Sequence, residues 1–227
     1  PLIKQETKNI HIYIQKLLYL IYPNTTIIMK ENKHIAHENT ETHPLTPFMP
    51  EDSRILMLGT FPPARSRWCM DFFYPNFQND MWRIIGLCFF NDKEHFIVKG
   101  EKRFDKERIE QFLHKHHIAI YDTGKRVVRT KNTASDKDLL IVEETDIQSM
   151  LNHMPQCDTI ITTGQLATTT LCRQLGVEEP KVGSYTTHTY CKRSIKIFRM
   201  PSSSRAYPMS VERKAEQYAR CFASPTP

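Results

Sequence analysis

The sequence predicts an α/β domain built on a parallel sheet with helices on both faces. From Asp52 onward, short apolar runs bounded by turn residues alternate with segments of helical period. Such alternation requires crossover connections, which make neighbouring strands parallel. The first and last of these runs each lead into a Pro/Ser/Arg-rich loop, "GTFPPARS" and "MPSSSRAY". In an open parallel sheet, loops leaving the carboxyl ends of strands converge on one crevice, where ligands bind. A chain of 227 residues suits one such domain, with enough length to bury a substantial core.

The elements follow in order. "RILMLG" (54–59) is an apolar run closed by turn signals, hence a buried strand. "NDMWRIIGLCFF" (79–90) carries apolar residues at helical spacing, with Asn79 where an N-cap stands. "DKERIEQFLHKHH" (105–117) is an exposed amphipathic helix, and "IAIYD" (118–122) the second strand. "TDIQSMLNHM" (145–154) is a helix with Thr145 as its expected cap. "DTIITTG" (158–164) is the third strand and runs into the helix "QLATTTLCRQLG" (165–176). "SIKIFRM" (194–200) is the fourth strand, and "VERKAEQYARCF" (211–222) is the closing helix.

Residues 1–50 read as an N-terminal extension and linker, and 51–227 as the domain. "IHIYIQKLLYLIYP" (10–23) holds Lys and Gln, is too short to span a bilayer and has no small-residue cleavage site. An amphipathic helix or an unstructured extension is expected there, with Met29 a candidate native start. His34, His37 and His43 lie in the polar stretch 24–50 without Cys or carboxylate spacing for a metal.

Composition narrows the function. A net charge of +6 and a pI near 9.0 fit a polyanionic partner. The six cysteines form no CxxC pair, so neither a zinc site nor a disulfide framework is expected, and reduced thiols point to the cytoplasm. No GxGxxG, GxxxxGK[ST] or GxSxG occurs among only 7 glycines. A monomer without cofactor, metal or membrane contact is expected.

Three segments carry chemistry. The loop "GKRVVRTK" (124–131) offers Lys125, Arg126, Arg129 and Lys131 to flank the crevice and neutralise phosphates, the alternative being a solvated surface loop. "WCMDFFYPNFQNDMW" (68–82) interleaves aromatics with Asp71, Asn76, Gln78 and Asn79. Aromatic faces stack a flat heteroaromatic ring while amides read its edges. "RMPSSSRAYPM" (199–209) offers Ser202, Ser203 and Ser204 to a phosphate, and Arg205 to a gap in a base stack. Its alternative is an ordinary Ser-rich turn.

In their order, "LMLGTFPPARS", "YPNFQNDMW", "IAIYDTG" and "MPSSSRAY" resemble the uracil-DNA glycosylase superfamily, over about Asp52 to Phe222. The motif style is nearest its hypoxanthine-type and mismatch-specific branches. The resemblance implies a three-layer α/β/α sandwich around a central four-stranded parallel sheet, with the active site between the first and last motifs. It implies a monofunctional DNA glycosylase that flips a deaminated or damaged base, uracil or hypoxanthine, and hydrolyses its N-glycosidic bond in DNA repair. Gly59, Thr60 and Phe61 of the first motif then line the base pocket, with Phe73 or Tyr74 stacking the base. Asn79 positions water or base, Asp122 reads the base edge, and Asp71 stands as a reserve carboxylate. Lys125, Arg126, Arg129 and Ser202 to Ser204 bind DNA phosphates, while Arg205 enters the duplex.

Two positions depart from that pattern. Phe61 stands where several relatives carry an Asp or Asn that handles the attacking water, and Met200 where many carry a His that stabilises the departing base. The four cysteines of the iron–sulfur branch are missing. Two other readings remain open: a catalytically silent nucleic-acid-binding module, and a nucleoside or nucleotide N-glycosidase.

Overall fold

A computed structural model describes residues 40–131, 133 and 136–222. The chain divides into two units, 1–41 and 42–227. Of the first only Thr40 and Glu41 are described, so the expected helix at 10–23, Met29, His34 and His37 lie outside the described residues. The main sheet and all the described helices belong to the second unit.

The strands are β1 (Thr40–Thr42), β2 (Ile55–Gly59), β3 (Ile118–Asp122), β4 (Gly124–Arg129), β5 (Leu139–Glu144), β6 (Thr159–Thr162), β7 (Ser184–Tyr190) and β8 (Arg193–Arg199). The helices are α1 (Met81–Phe90), α2 (Lys106–Lys115), α3 (Ile147–His153), α4 (Gln165–Leu175) and α5 (Val211–Phe222). The main sheet has the order β3-β2-β6-β8-β7. Its first four strands run parallel and are the four apolar runs of the sequence. The expected four-stranded sheet gains a fifth member, β7, which pairs antiparallel with β8 along the edge. Because β7 ("SYTTHTY") is polar and lies largely open to solvent, it has no apolar run to announce it.

β2 sits inside the sheet with β3 on one side and β6 on the other. Leu56, Met57 and Leu58 are fully buried. Each such side chain contributes about 1.5–3 kcal/mol relative to an exposed one. The chain leaves β2 toward β3 and later returns to β6 on β2's other side. Counting parallel strands alone, the order is therefore 2-1-3-4, and the switch point falls between β2 and β6.

The cations expected in a loop at 124–131 lie mostly on a strand. β4 pairs antiparallel with β5 in a second sheet, with register shifts around Arg126. Val127 alternates into the interior and is fully buried, which draws the segment into a ladder. Thr145 does not cap α3. Asp146 does so by accepting the Ser149 N–H, and the Thr145 hydroxyl donates to the Asp122 carbonyl at 2.7 Å. α1 packs against α5, where Phe89 and Phe222 meet.

Residues 43–50, expected as linker, instead dock on the sheet edge. Phe48 forms an antiparallel bridge with Ile120, giving and accepting a backbone hydrogen bond. His43 N donates to the Lys125 carbonyl at 2.9 Å. The apolar Leu45, Phe48 and Met49 pack against the core, and this outweighs the polar residues between them.

Candidate active site

The carboxyl ends of β2, β3, β6 and β8 open into one cavity of about 1120 Å³ at the switch point. Its wall includes Gly59 to Pro63 after β2, Asp122 at the end of β3, Thr163 and Gly164 after β6, and Met200 to Arg205 after β8. Tyr74 and Asn79, from the aromatic segment before α1, complete it.

The strand register sets Gly59 beside Asp122. Asp122 is 6% exposed, and its Oδ2 accepts the Nε2–H of His43 at 2.9 Å. His43 Nδ1 lies 2.9 Å from the Leu45 carbonyl oxygen and 3.2 Å from the Leu45 N, so the ring is held by hydrogen-bonding partners at both nitrogens. The imidazole packs between Tyr121 and Phe61, with ring centroids at 4.6 and 5.2 Å. Nothing in the polar stretch around His43 signals this role, because only the docking of 43–50 brings the ring to Asp122.

Tyr74 adopts a left-handed backbone conformation, φ 49°, which is uncommon for a bulky residue. The turn is held from behind by Trp82, whose Nε1–H donates to the Phe73 carbonyl at 3.0 Å. The Tyr74 hydroxyl lies 2.7 Å from Thr163 Oγ1. Burial, and after it the charge of Asp122, push the phenol above its ordinary range, so it remains a neutral hydrogen-bonding group. Phe73, offered with Tyr74 as a stacking ring, is 2% exposed and absent from the cavity wall. It packs in the core against Phe72 and Tyr121. Asp71 is exposed, pairs with Arg65 at 2.6 Å and lies outside the wall, so the structure does not bring it to the site.

Asn79 stands one residue before the helix cap. The cap position belongs to Asp80, whose side chain makes no capping bond, while Asn79 Oδ1 accepts the Met81 N–H at 2.9 Å. With that oxygen committed to the helix start, the amide NH2 is the donor left to a ligand. The backbone of Asn79 bridges Ser204, and Asp80 N donates to the Ser203 carbonyl at 2.9 Å. The aromatic segment and the loop after β8 are thereby stitched together.

Beneath that seam lies Lys214, which is fully buried. Its Nζ donates to Asp80 Oδ2 at 3.1 Å and to the Ser204 carbonyl at 2.8 Å. Arg205 donates to Asp80 Oδ1 through Nε and Nη2, so its guanidinium is turned toward Asp80. Ser203 is 3% exposed, whereas Ser202 and Ser204 are half-buried on the wall. Met200 is buried and anchored through its N–H to the Thr162 carbonyl.

Among the expected phosphate-binding cations, Arg129 lines the cavity and donates to the Pro62 carbonyl at 3.1 Å. Lys125 and Arg126 both face Glu143 on β5, at 2.6 and 3.6 Å, and lie outside the wall. Lys131 lies 3.9 Å from Asp138.

A second carboxyl, unannounced by the sequence, enters from the β4–β5 connection. Asp136 lines the cavity, and its Oδ2 accepts the Thr60 hydroxyl at 2.8 Å. Burial raises its pKa above the usual carboxyl range and the Asp122 charge adds to this, while the Thr60 bond and Arg129 pull it down. Among the described residues, no group of three or more His, Cys, Asp or Glu is placed to hold a metal.

No family model matches this chain, and neither does any curated protein sequence. Its fold does have a counterpart. It is similar to the solution NMR structure of a Methanosarcina acetivorans protein titled a "putative Uracil DNA glycosylase", with a TM-score of 0.54 and 20% identity. The match covers 78% of this chain and 94% of that one. At that identity the likeness is one of fold.

Proposed function

We propose that this protein is a monofunctional DNA N-glycosylase that receives a flipped deaminated base in the cavity between the loops after β2 and β8. One observation carries the reading: at the switch point of a parallel sheet, a cavity of about 1120 Å³, roomy enough for a nucleotide, joins a half-buried tyrosine, an uncommitted amide donor and a carboxylate oriented by a buried histidine. The fold shared with the Methanosarcina acetivorans protein supports it.

N-glycosidic cleavage places positive charge on the sugar and negative charge on the departing base. Tyr74 and Phe61 supply apolar and aromatic wall for the base. With Oδ2 of Asp122 held by His43, Oδ1 is the acceptor for a ring N–H. Deamination creates such an N–H in uracil and hypoxanthine, where cytosine and adenine present a ring acceptor that a carboxylate repels. The Asn79 amide donates to the developing anion. Ser202 and Ser204 hold a flanking phosphate. DNA is the partner, and the net charge of +6 favours its approach. Six unpaired cysteines fit a monomer working in a reducing cytoplasm. No helix among the described residues is long and apolar enough to cross a membrane.

The test is a panel of single- and double-stranded oligonucleotides carrying uracil, hypoxanthine or a G·T mismatch, beside the free nucleosides. The expected result is an abasic site in at least one deaminated oligonucleotide, with the nucleosides left intact. Salt-dependent DNA binding without base release would replace the proposal with a silent binding module. Hydrolysis of nucleosides alone would replace it with a nucleoside N-glycosidase.

A further inference from the structure

We infer that Asp136 is the general base of this cavity, taking the proton from the water that attacks the sugar. This rests on the glycosylase reading above. Phe61 follows Thr60 in the loop after β2, and its side chain has no atom that can orient or deprotonate water. The β4–β5 connection brings a carboxylate to that same loop. Arg129 donates to the Pro62 carbonyl, Gly124 N donates to the Thr60 carbonyl at 2.9 Å, and the Thr60 hydroxyl donates to Asp136 Oδ2. The first two bonds fasten β4 to that loop, and the third ties the connection to it and commits one Asp136 oxygen, leaving Oδ1 to accept from water. On another side stands Gly164, where a Cβ would lie 3.6 Å from Asp136 Oδ2, so no side chain covers the carboxyl from there.

The step balances without a further reactant. The water O–H bond breaks and its proton passes to Asp136, while the water oxygen bonds to C1′. The C1′–N bond breaks, its electron pair leaves with the base, and the base then takes the proton from Asp136. Water has been added across one bond, and Asp136 is returned as carboxylate.

The groups that set its titration are Asp122 on β3, with His43 on its other oxygen; Tyr74 before α1; Arg129 on β4; and Thr60 after β2. Lys137 follows Asp136 on the same turn, and Arg199 and Arg205 line the same cavity. Burial, then Asp122, raise Asp136, which moves a carboxylate base toward neutral operating pH. Base release should therefore rise with pH through this raised value and level off above it.

Single-turnover base release from the best oligonucleotide of the panel is measured against pH for wild type, Asp136→Asn, Asp136→Glu and Thr60→Val, with DNA affinity and melting temperature alongside. Asp136→Asn should lower the plateau by about 10²–10⁴-fold and abolish the acid limb, while DNA affinity stays within about twofold. Asp136→Glu should recover part of the rate. Thr60→Val removes a bond that lowers the Asp136 pKa, so the acid limb should move to higher pH. An active wild type with an unchanged rate and acid limb in Asp136→Asn overturns this inference alone. Should Asp136→Asn fail to fold, an unmoved limb in Thr60→Val overturns it instead. A wild type inert on the whole panel sinks the glycosylase reading, and this inference with it.

Discussion

A Cβ placed on Gly59 would lie 2.3 Å from Oδ1 of Asp122, closer than any real contact allows, and 3.1 Å from the Tyr74 hydroxyl. Glycine is required here by proximity, since the backbone of Gly59 is ordinary extended strand. The site's central carboxylate occupies the space that a side chain would fill.

Gly59→Ala should therefore displace Asp122. Overpacking of this kind costs about 1–3 kcal/mol, read as a lower melting temperature, and base release should fall at least about tenfold. The double variant Gly59→Ala with Asp122→Ser should regain much of the stability and none of the rate. Full activity in Gly59→Ala would show that the position of Asp122 is irrelevant to the chemistry.

Asn79 combines two roles that different substitutions separate. Asn79→Asp keeps the oxygen that accepts the Met81 N–H and loses the NH2 donor. Its melting temperature should stay near wild type while single-turnover release drops about 10²–10³-fold, the order seen for one lost oxyanion donor. Asn79→Ala should lose the rate and, in addition, about 0.5–2 kcal/mol of stability. A fast Asn79→Asp would leave this residue only as an acceptor that braces the helix start.

Lys214→Met should be strongly destabilising, by about 3–5 kcal/mol in denaturant unfolding, because Asp80 loses a buried partner. Adding Asp80→Asn should cost less than the sum of the two single changes, since both remove the same buried ion pair and Asp80, left with Arg205 alone in Lys214→Met, then carries no charge. Strict additivity would show that the two groups do not act as a pair.

Lys125 and Arg126 face one carboxylate, Glu143, and so present one net positive charge between them. Replacing both with Ala should flatten the log-affinity against log-salt slope on duplex DNA by about 0.9, the value of one phosphate contact. A loss of about twice that would mean that Glu143 gives them up when DNA binds.

The parallel frame was legible because its four strands are apolar runs that tolerate no other placement. The same rule hid β7, whose burial is too slight to leave a pattern, and β4, whose cations mask the buried Val127 between them. Local chemistry drew notice to the aromatic and amide segment that holds Tyr74 and Asn79, whereas Asp122 was named only through the resemblance to a known family; the three sit at a helix entry and a strand end on the cavity wall. Phe73 and Asp71 lie off the cavity wall, and the sequence does not tell this, because which neighbour in an aromatic run turns inward depends on the Tyr74 backbone kink and the Trp82 bond that holds it. His43 and Asp136 could not be found by inspection of their own surroundings. Each reaches the cavity through a long-range contact, one by the docking of 43–50 and the other through the Thr60 hydroxyl.

That last arrangement separates the scaffold from its reagent. Loops fixed by the parallel strands give the cavity its shape, whereas Asp136 rides on the connection of an antiparallel hairpin outside that sheet. A hairpin connection can be shortened, extended or exchanged without altering any crossover of the core. The segment between Arg129 and Leu139 is thus a natural graft point, where a different carboxylate, amide or imidazole could be presented to the same cavity without rebuilding the fold.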